Sequence, residues 1–130
     1  MKNRKFLLVL LSYAIIALVL VGCSSAVSPT ATIHQVKYVV QSNSMDVLVS
    51  MINSQGGTEQ KSVDVYSAGE QASWTFTMYD GDPASIVAQE NIGYGLAVTC
   101  IIYVDGMEWK RSYSQGNFVT ATCSGIIGNP

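Results

Sequence analysis

The chain has 130 residues, a length that suits one folded domain rather than two. Its formal net charge is −2, and the residues after position 22 carry four basic side chains against nine carboxylates. This mildly acidic balance excludes nucleic acid as an expected partner and argues against electrostatic docking on an anionic lipid surface.

The first 22 residues have the pattern of an export signal. Lys2, Arg4 and Lys5 precede residues 6–21, which contain neither a charged residue nor a proline. Sixteen helical residues would span about 24 Å, less than the ~30 Å hydrocarbon core of a bilayer. We therefore expect this segment to be cleaved, and a retained membrane helix is the less favoured alternative.

The run ends in Leu20-Val21-Gly22-Cys23, which resembles the lipobox of bacterial lipoproteins. In that family the cysteine thiol receives a diacylglyceryl group, and cleavage then makes the cysteine the first residue. The resemblance implies that Cys23 is lipidated and that acyl chains such as palmitate hold the protein on an extracytoplasmic membrane face. Such anchoring is stable, because each buried CH₂ contributes about 0.8 kcal/mol. The alternative is a buried cysteine at the end of a helix.

A short polar segment follows the cysteine. Residues 24–32 read SSAVSPTAT, and small hydroxylated residues with one proline are typical of a solvated tether. The expected organisation is a signal peptide over residues 1–22, a lipidated cysteine and tether over 23–32, and one folded domain over 33–130.

The folded part has an all-β pattern, rich in Val, Ile, Thr and Tyr and divided by turn residues. Residues 72–78 alternate most clearly, with Trp74, Phe76 and Met78 on the inward side. Asp105-Gly106 predicts a type I′ hairpin turn. The strands are expected at residues 36–41, 45–52, 58–66, 72–78, 86–89, 96–104, 107–113 and 118–123. Seven or eight short strands predict an antiparallel, immunoglobulin-like β-sandwich, and the pattern leaves their order open.

One hairpin presents a register conflict. A two-residue loop at Asp105-Gly106 pairs Val104 with Met107 and would place Arg111 opposite Cys100, on the core face. A β-bulge after Trp109, or a strand that leaves the sheet there, would remove the conflict.

Cys100 and Cys123 both fall in phase with inward apolar residues, and exported proteins fold under oxidising conditions. We therefore expect a disulfide, which for a loop of roughly 24 residues contributes on the order of 3 kcal/mol. In a flat three-strand meander the two strands would lie ~9.6 Å apart, whereas a bridge spans at most ~7 Å between Cα atoms. The last strand should therefore cross to the facing sheet, or the order of the strands should differ from a flat meander. The alternative is two buried free cysteines.

The final strands contain an ordered set of motifs. Residues 98–106 read VTCIIYVDG, and residues 119–125, VTATCSG, follow Gly116. This set resembles the end of the small mycobacterial membrane protein family, MmpS. With further matches upstream, the resemblance spans about residues 36 to 125. The upstream matches are Val36-x-Tyr38-x-Val40, Gly56-Gly57 and Trp74-x-Phe76.

The MmpS resemblance implies a small extracytoplasmic β-sandwich held at the membrane. Mycobacterial members are accessory proteins of MmpL transporters, of the resistance-nodulation-division class, and support export of lipids or siderophores. Those members keep a transmembrane helix, whereas this chain has the lipobox pattern at Cys23. We expect a non-catalytic accessory or interaction module for such a transporter or another envelope complex. The alternative is a surface-displayed module that binds a glycan or envelope polymer.

Residues suited to catalysis or metal binding are sparse. The single histidine, His34, lies beside the predicted tether, so a Ser-His-Asp site has little support. Asp80 and Asp82 flank Gly81, but two carboxylates are too few for a calcium site, and a turn is the favoured interpretation. The other carboxylates considered scatter over predicted loops and strand exteriors; they are Asp64, Glu70 and Glu90. We therefore expect no catalytic residue, metal or cofactor.

Tyrosines are the remaining candidates for a binding surface. Five of them fall at outward or loop positions, where exposed rings can contact a partner or ligand. They are Tyr66, Tyr79, Tyr94, Tyr103 and Tyr113. The favoured alternative is that these rings cover sheet edges and form cross-strand pairs.

Overall fold

The computed structural model describes residues 30–65, 70–94 and 96–128. These residues form eight strands and no helix, which confirms the predicted all-β class. The strands are β1 (Ile33–Ser42), β2 (Val47–Ile52), β3 (Thr58–Val63), β4 (Gln71–Tyr79), β5 (Pro83–Glu90), β6 (Ala97–Val104), β7 (Met107–Gln115) and β8 (Thr120–Ile126).

The strands form two antiparallel sheets, in the orders β4-β1-β6-β7 and β3-β2-β5-β8. Only β2–β3 and β6–β7 are hairpins between neighbours in sequence. Every other connection passes from one sheet to the other. Connections that pass between two sheets are typical of a β-sandwich, the predicted architecture. The strand order itself was left open by the sequence pattern.

The core lies between the sheets, because alternate residues of each strand point inward. Val36, Tyr38 and Val40 of β1 are fully buried, as are Val49 of β2 and Ile86 of β5. The Tyr38 hydroxyl accepts a hydrogen bond from the backbone N–H of Ser85 in the facing sheet, at 3.2 Å. Burial raises the pKa of Tyr38 to about 12, so this hydroxyl stays protonated at neutral pH.

A β-bulge resolves the register conflict in the β6–β7 hairpin. Ile102 pairs with Lys110 and Tyr103 with Glu108, so Trp109 is the extra residue on β7. Arg111 then lies opposite Ile101 on the outer face, where it forms a two-pronged ion pair with Glu108. The predicted bulge is confirmed, and the arginine stays in solvent.

The predicted disulfide is confirmed. Cys100 of β6 is bonded to Cys123 of β8, with 6.1 Å between their Cα atoms. These strands belong to different sheets, so the bridge joins the two layers across the core. The last strand crosses to the facing sheet, as the span of a disulfide requires.

Most predicted strand boundaries differ from those observed; for example, β5 spans Pro83–Glu90 rather than residues 86–89, and β8 ends at Ile126 rather than at residue 123. The last strand begins at Thr120 rather than at residue 118, because Phe118 adopts φ of 54° and turns the chain. The first strand begins at Ile33 rather than at residue 36 and includes His34, so this histidine lies within a paired strand of the sheet.

The sandwich has two ends, named here by the start of β1. The proximal end contains the start of β1, the turns at Asp80–Asp82 and Asp105–Gly106, and residues 126–128. The distal end contains residues 43–46, 91–94 and 116–119, which lie in loops. The charged and aromatic groups of interest divide between these two ends.

Candidate functional site

At the proximal end, His34 is held between two carboxylates. Its Nδ1 lies 2.7 Å from Oδ2 of Asp105 and its Nε2 lies 2.9 Å from Oδ1 of Asp80. The partners come from separate turns, 71 and 46 residues away in sequence. Antiparallel pairing of β1 with β4 and β6 brings both turns beside the start of β1.

This arrangement favours the imidazolium form of His34. Ionised carboxylates only accept hydrogen bonds, so both ring nitrogens must carry a proton for both contacts to form. Hydrogen bonds to Asp105 and then Asp80 raise the pKa of His34, against a small opposing effect of burial. With both nitrogens engaged, His34 has no free lone pair with which to activate a serine hydroxyl.

Further contacts make the same end a junction of four chain segments. The backbone N–H of Gln35 donates to the Asp105 carboxylate at 2.9 Å, and the Asp105 N–H donates to the Gln35 carbonyl at 2.9 Å. The Asp80 N–H donates to the Thr32 carbonyl at 3.1 Å. Gly128 packs directly against the Asp80 carboxylate, where a Cβ would collide.

An open groove of about 390 Å³ borders this junction. His34 and Asp105 form its polar side, and Val104, Met107 and Trp109 form its apolar side. Met107 is 73% exposed at the tip of the hairpin. The groove is therefore an accessible apolar surface beside a charged triad.

The Asp80–Asp82 turn is explained by local hydrogen bonds. Asp82 Oδ2 accepts the N–H of Tyr79 at 2.8 Å, while Asp80 binds His34. Within residues 30–65, 70–94 and 96–128, no group of three or more His, Cys, Asp or Glu side chains is arranged to hold a metal ion. Both carboxylates of the turn have structural roles in the positions that they occupy.

At the distal end, Glu90 is a fully buried carboxylate. It accepts backbone N–H bonds from Ile92 at 2.7 Å, from Gly93 at 3.0 Å and from Phe118 at 3.0 Å. The Ser44 hydroxyl lies 3.5 Å away. Glu90 was expected on a loop or strand exterior, and that prediction was wrong.

The Glu90 carboxylate is stabilised in its charged form. Burial would raise the pKa of this carboxyl, but the N–H groups of Gly93, Ile92 and Phe118 outweigh burial and lower it. The Glu90 carboxylate thereby holds both the segment after β5 and the loop that contains Phe118. The sequence offers one signal for this role, an acidic residue that ends a strand just before a Gly-containing loop.

Glu90 also holds a strained aromatic residue at the surface. Phe118 has positive φ, which is costly for a bulky side chain, and its ring packs on Gly93. Phe118 is 61% exposed and Tyr94, from the neighbouring loop, is 77% exposed. The distal end therefore displays two aromatic rings.

The predicted tyrosine candidates do not form one surface. Tyr79, Tyr103 and Tyr113 lie on the outer face of the β4-β1-β6-β7 sheet, on three different strands. Tyr94 lies apart at the distal end, and Tyr66 lies outside the described residues. The Tyr113 hydroxyl donates to the Gln115 side chain at 2.8 Å, as expected for a ring that covers its own strand.

No protein-family model and no curated protein matches this chain. The described part of the chain contains no helix of the length and apolarity needed to cross a membrane. Cys23 and the predicted signal over residues 1–22 lie outside the described residues. The MmpS resemblance therefore stays a prediction based on the quoted motifs.

Proposed function

We propose that this protein is a lipid-anchored extracytoplasmic β-sandwich that acts as a non-catalytic interaction module of a cell-envelope complex. The observation that carries this proposal is Leu20-Val21-Gly22-Cys23, placed directly after a basic start and a charge-free apolar run. By the MmpS resemblance, the partner is a membrane transporter of the resistance-nodulation-division class.

The disulfide supports the extracytoplasmic location. Structural disulfides form and persist outside the reducing cytosol, and the Cys100–Cys123 bridge spans the core where it is shielded from solvent. The engagement of both His34 nitrogens supports a non-catalytic role, because the single histidine of the chain is not free to act as a base.

Metabolic labelling with a palmitate analogue tests the anchor. We expect the full chain to incorporate label and to fractionate with membranes, and we expect Cys23→Ser to abolish the label. The matched control is the double variant Cys100→Ser, Cys123→Ser, which removes two other cysteines and should keep the label. Equal labelling of wild type and Cys23→Ser would disprove lipidation at this residue.

Crosslinking in cells tests the partner. A photo-reactive residue at Tyr94 or Met107 samples the distal and proximal ends separately, and mass spectrometry identifies the product. Repeated recovery of a large membrane transporter from one end would support the accessory role. Products without any transporter from both ends would count against it.

A second candidate function is ligand binding by the exposed aromatic rings. Tyr94 and Phe118 are both exposed at the distal end, and exposed aromatic rings are enriched where proteins contact partners and ligands. This function predicts saturable binding of an envelope glycan by the purified protein. The Tyr94→Ala variant should lose that binding, while Tyr79→Ala, at the opposite end, is the matched control.

A further inference from the structure

At the proximal end, the turn at residues 80–82 and residues 126–128 form one hydrogen-bonded unit. The Gly81 N–H donates to the Ile127 carbonyl at 2.9 Å, and the Ile127 N–H donates to the Asp82 carbonyl at 2.9 Å. Gly128 packs against the Asp80 carboxylate and also borders the apolar groove. We call residues 80–82 and 126–128 the turn–tail unit. A movement of Asp80 therefore affects the rim of the groove.

His34 holds the Asp80 carboxylate to the start of β1. Its Nε2 lies 2.9 Å from Asp80 Oδ1, and among the described residues no other group donates a hydrogen bond to this carboxylate. The Asp105 carboxylate has two donors, because it also accepts the Gln35 N–H at 2.9 Å. The two carboxylates that flank His34 are thus held unequally.

The neutral form of His34 can keep only one of these contacts as a donor. A neutral imidazole carries one N–H and one lone pair, and an ionised carboxylate only accepts. We expect Nδ1 to keep its proton, because its contact with Asp105 is the shorter one, at 2.7 Å, and the Gln35 N–H fixes that carboxylate in place. Nε2 then turns a lone pair towards Asp80 Oδ1, and the contact becomes repulsive.

The other charged groups near His34 are already engaged. Glu108 of β7 lines the same groove, but both of its oxygens bind Arg111, at 2.9 and 2.6 Å. Asp82 accepts the N–H of Tyr79. On β4, the residue paired with His34 is the uncharged Met78. The charge of His34 is therefore set directly by Asp80 and Asp105.

We propose that His34 is a pH-sensitive latch for the turn–tail unit. Protonated His34 binds both Asp80 and Asp105. Neutral His34 keeps Asp105 and releases Asp80, so that residues 80–82 and 126–128 open more often and expose the groove on the side of Gly128. This inference does not depend on the lipid anchor or on a transporter partner.

Amide hydrogen exchange of the full-length protein tests the latch. The His34 imidazole signals give the midpoint, and exchange is compared about one pH unit below and above it, where His34 is ~90% protonated and ~90% neutral. Rates are divided by the intrinsic rate at each pH. We expect protection of the Gly81 and Ile127 amides to fall roughly threefold or more above the midpoint, as suits a partly exposed ion pair.

Two other amides serve as internal controls. The Asp105 N–H, bonded to the Gln35 carbonyl, reports the turn that neutral His34 keeps. The Glu90 N–H, bonded to the Val119 carbonyl at the distal end, reports opening of the whole domain. Both should keep their protection. A fall at Asp105 instead of Gly81, or an equal fall at Glu90, would overturn the proposal.

Two variants separate the latch from a merely structural contact. His34→Gln should remove the pH dependence at Gly81 and Ile127. Asp80→Asn is the sharper variant, because its amide N–H₂ can donate to the lone pair of neutral His34. This variant should therefore keep both amides protected above the midpoint. Unchanged protection in wild type, or a fall in either variant equal to that of wild type, would also overturn the proposal.

Discussion

His34 is the residue whose surroundings differ most from expectation. It sits 17% exposed between two carboxylates that are each about half exposed. The ion pairs link the start of β1 to two turns, so protonation of one side chain affects three segments. No sequence pattern predicts this triad, because its members are distant in the chain and meet only through strand pairing.

Titration of His34 should show a raised pKa. Because the chain has one histidine, a single pair of imidazole NMR signals reports it directly. We expect the wild-type titration midpoint to lie above the ordinary value of 6.5. The midpoint should fall further in Asp105→Asn than in Asp80→Asn, because the hydrogen bond to Asp105 contributes most to the raised pKa. A midpoint at or below 6.5 in wild type would contradict the triad.

Stability should follow the same titration. A raised folded-state pKa contributes stability that is fully present below pH 6.5 and is lost as pH rises through the folded value. The difference in unfolding free energy between wild type and His34→Gln should therefore shrink from about pH 6 to about pH 9. Urea unfolding at both pH values measures it, and a pH-independent difference would argue against the ion pairs.

Glu90 should be more costly to replace than an exposed acid. Glu90→Gln keeps the shape but turns an amide N–H₂ towards backbone donors, so we expect a loss of about 2–4 kcal/mol in unfolding free energy. Asp64→Asn, on an exposed residue, is the control and should change stability by less than ~0.5 kcal/mol.

The pH dependence of the Glu90 effect has the opposite sign to that of His34. The lowered pKa of Glu90 gives stability that is present above its ordinary value of 4.5 and is lost as pH falls through the folded value. The difference in unfolding free energy between wild type and Glu90→Gln should therefore become smaller at acidic pH. Equal stability of the two proteins at neutral pH would show that the carboxylate is dispensable.

At the scale of elements, the β7 bulge and the β8 glycine act together. The bulge turns Trp109 towards β8, and Gly125 leaves room for its ring. Lys110 lies over the same ring, 4.9 Å from its centroid. The Trp109 ring thus packs between β7 and β8 on one side of the sandwich, while on the other side Lys61 of β3 lies over the Trp74 ring of β4, 5.9 Å from its centroid.

Gly125→Ala should destabilise the protein through this contact. The added methyl group would lie within van der Waals overlap of the Trp109 ring, and overpacking of this kind costs about 1–3 kcal/mol. Thermal or urea unfolding measures the change. Ser124→Ala, at the exposed neighbouring position, should have little effect, and equal effects of the two variants would refute the packing role.

At the scale of the whole molecule, the disulfide joins the layers. Cys100 and Cys123 lie on strands that share no backbone hydrogen bonds, so the bridge restrains how the two sheets can separate. Its stabilising effect arises mainly from the restricted unfolded chain.

The double variant Cys100→Ala, Cys123→Ala should lose about 3 kcal/mol of unfolding free energy. Urea unfolding with and without reductant checks this value and its cause. Reductant should lower the midpoint of wild type towards that of the variant and leave the variant unchanged. A reductant effect of similar size on both proteins would point to another cause.

The sequence by itself determined features that depend on neighbouring residues. The alternation around Trp74, the turn at Asp105-Gly106 and the phase of Cys100 predicted strands, a hairpin and inward cysteines, all of which the fold contains. The conflict between a two-residue turn and an inward Arg111 predicted either a bulge after Trp109 or a strand leaving the sheet, and the structure contains the bulge. Period-two alternation and turn preferences depend on residues close together in sequence, so the amino-acid sequence alone is enough to recognise them.

Only the tertiary structure decided which distant groups meet. The strand order brings Asp80 and Asp105 to His34 and buries Glu90 beneath two loops. Each of these outcomes depends on which strands are neighbours across long connections, and hydrophobic patterns carry no information about that choice. Side-chain alternation therefore specified the layers of the sandwich, while long-range pairing specified its strand order and the charged groups at its two ends.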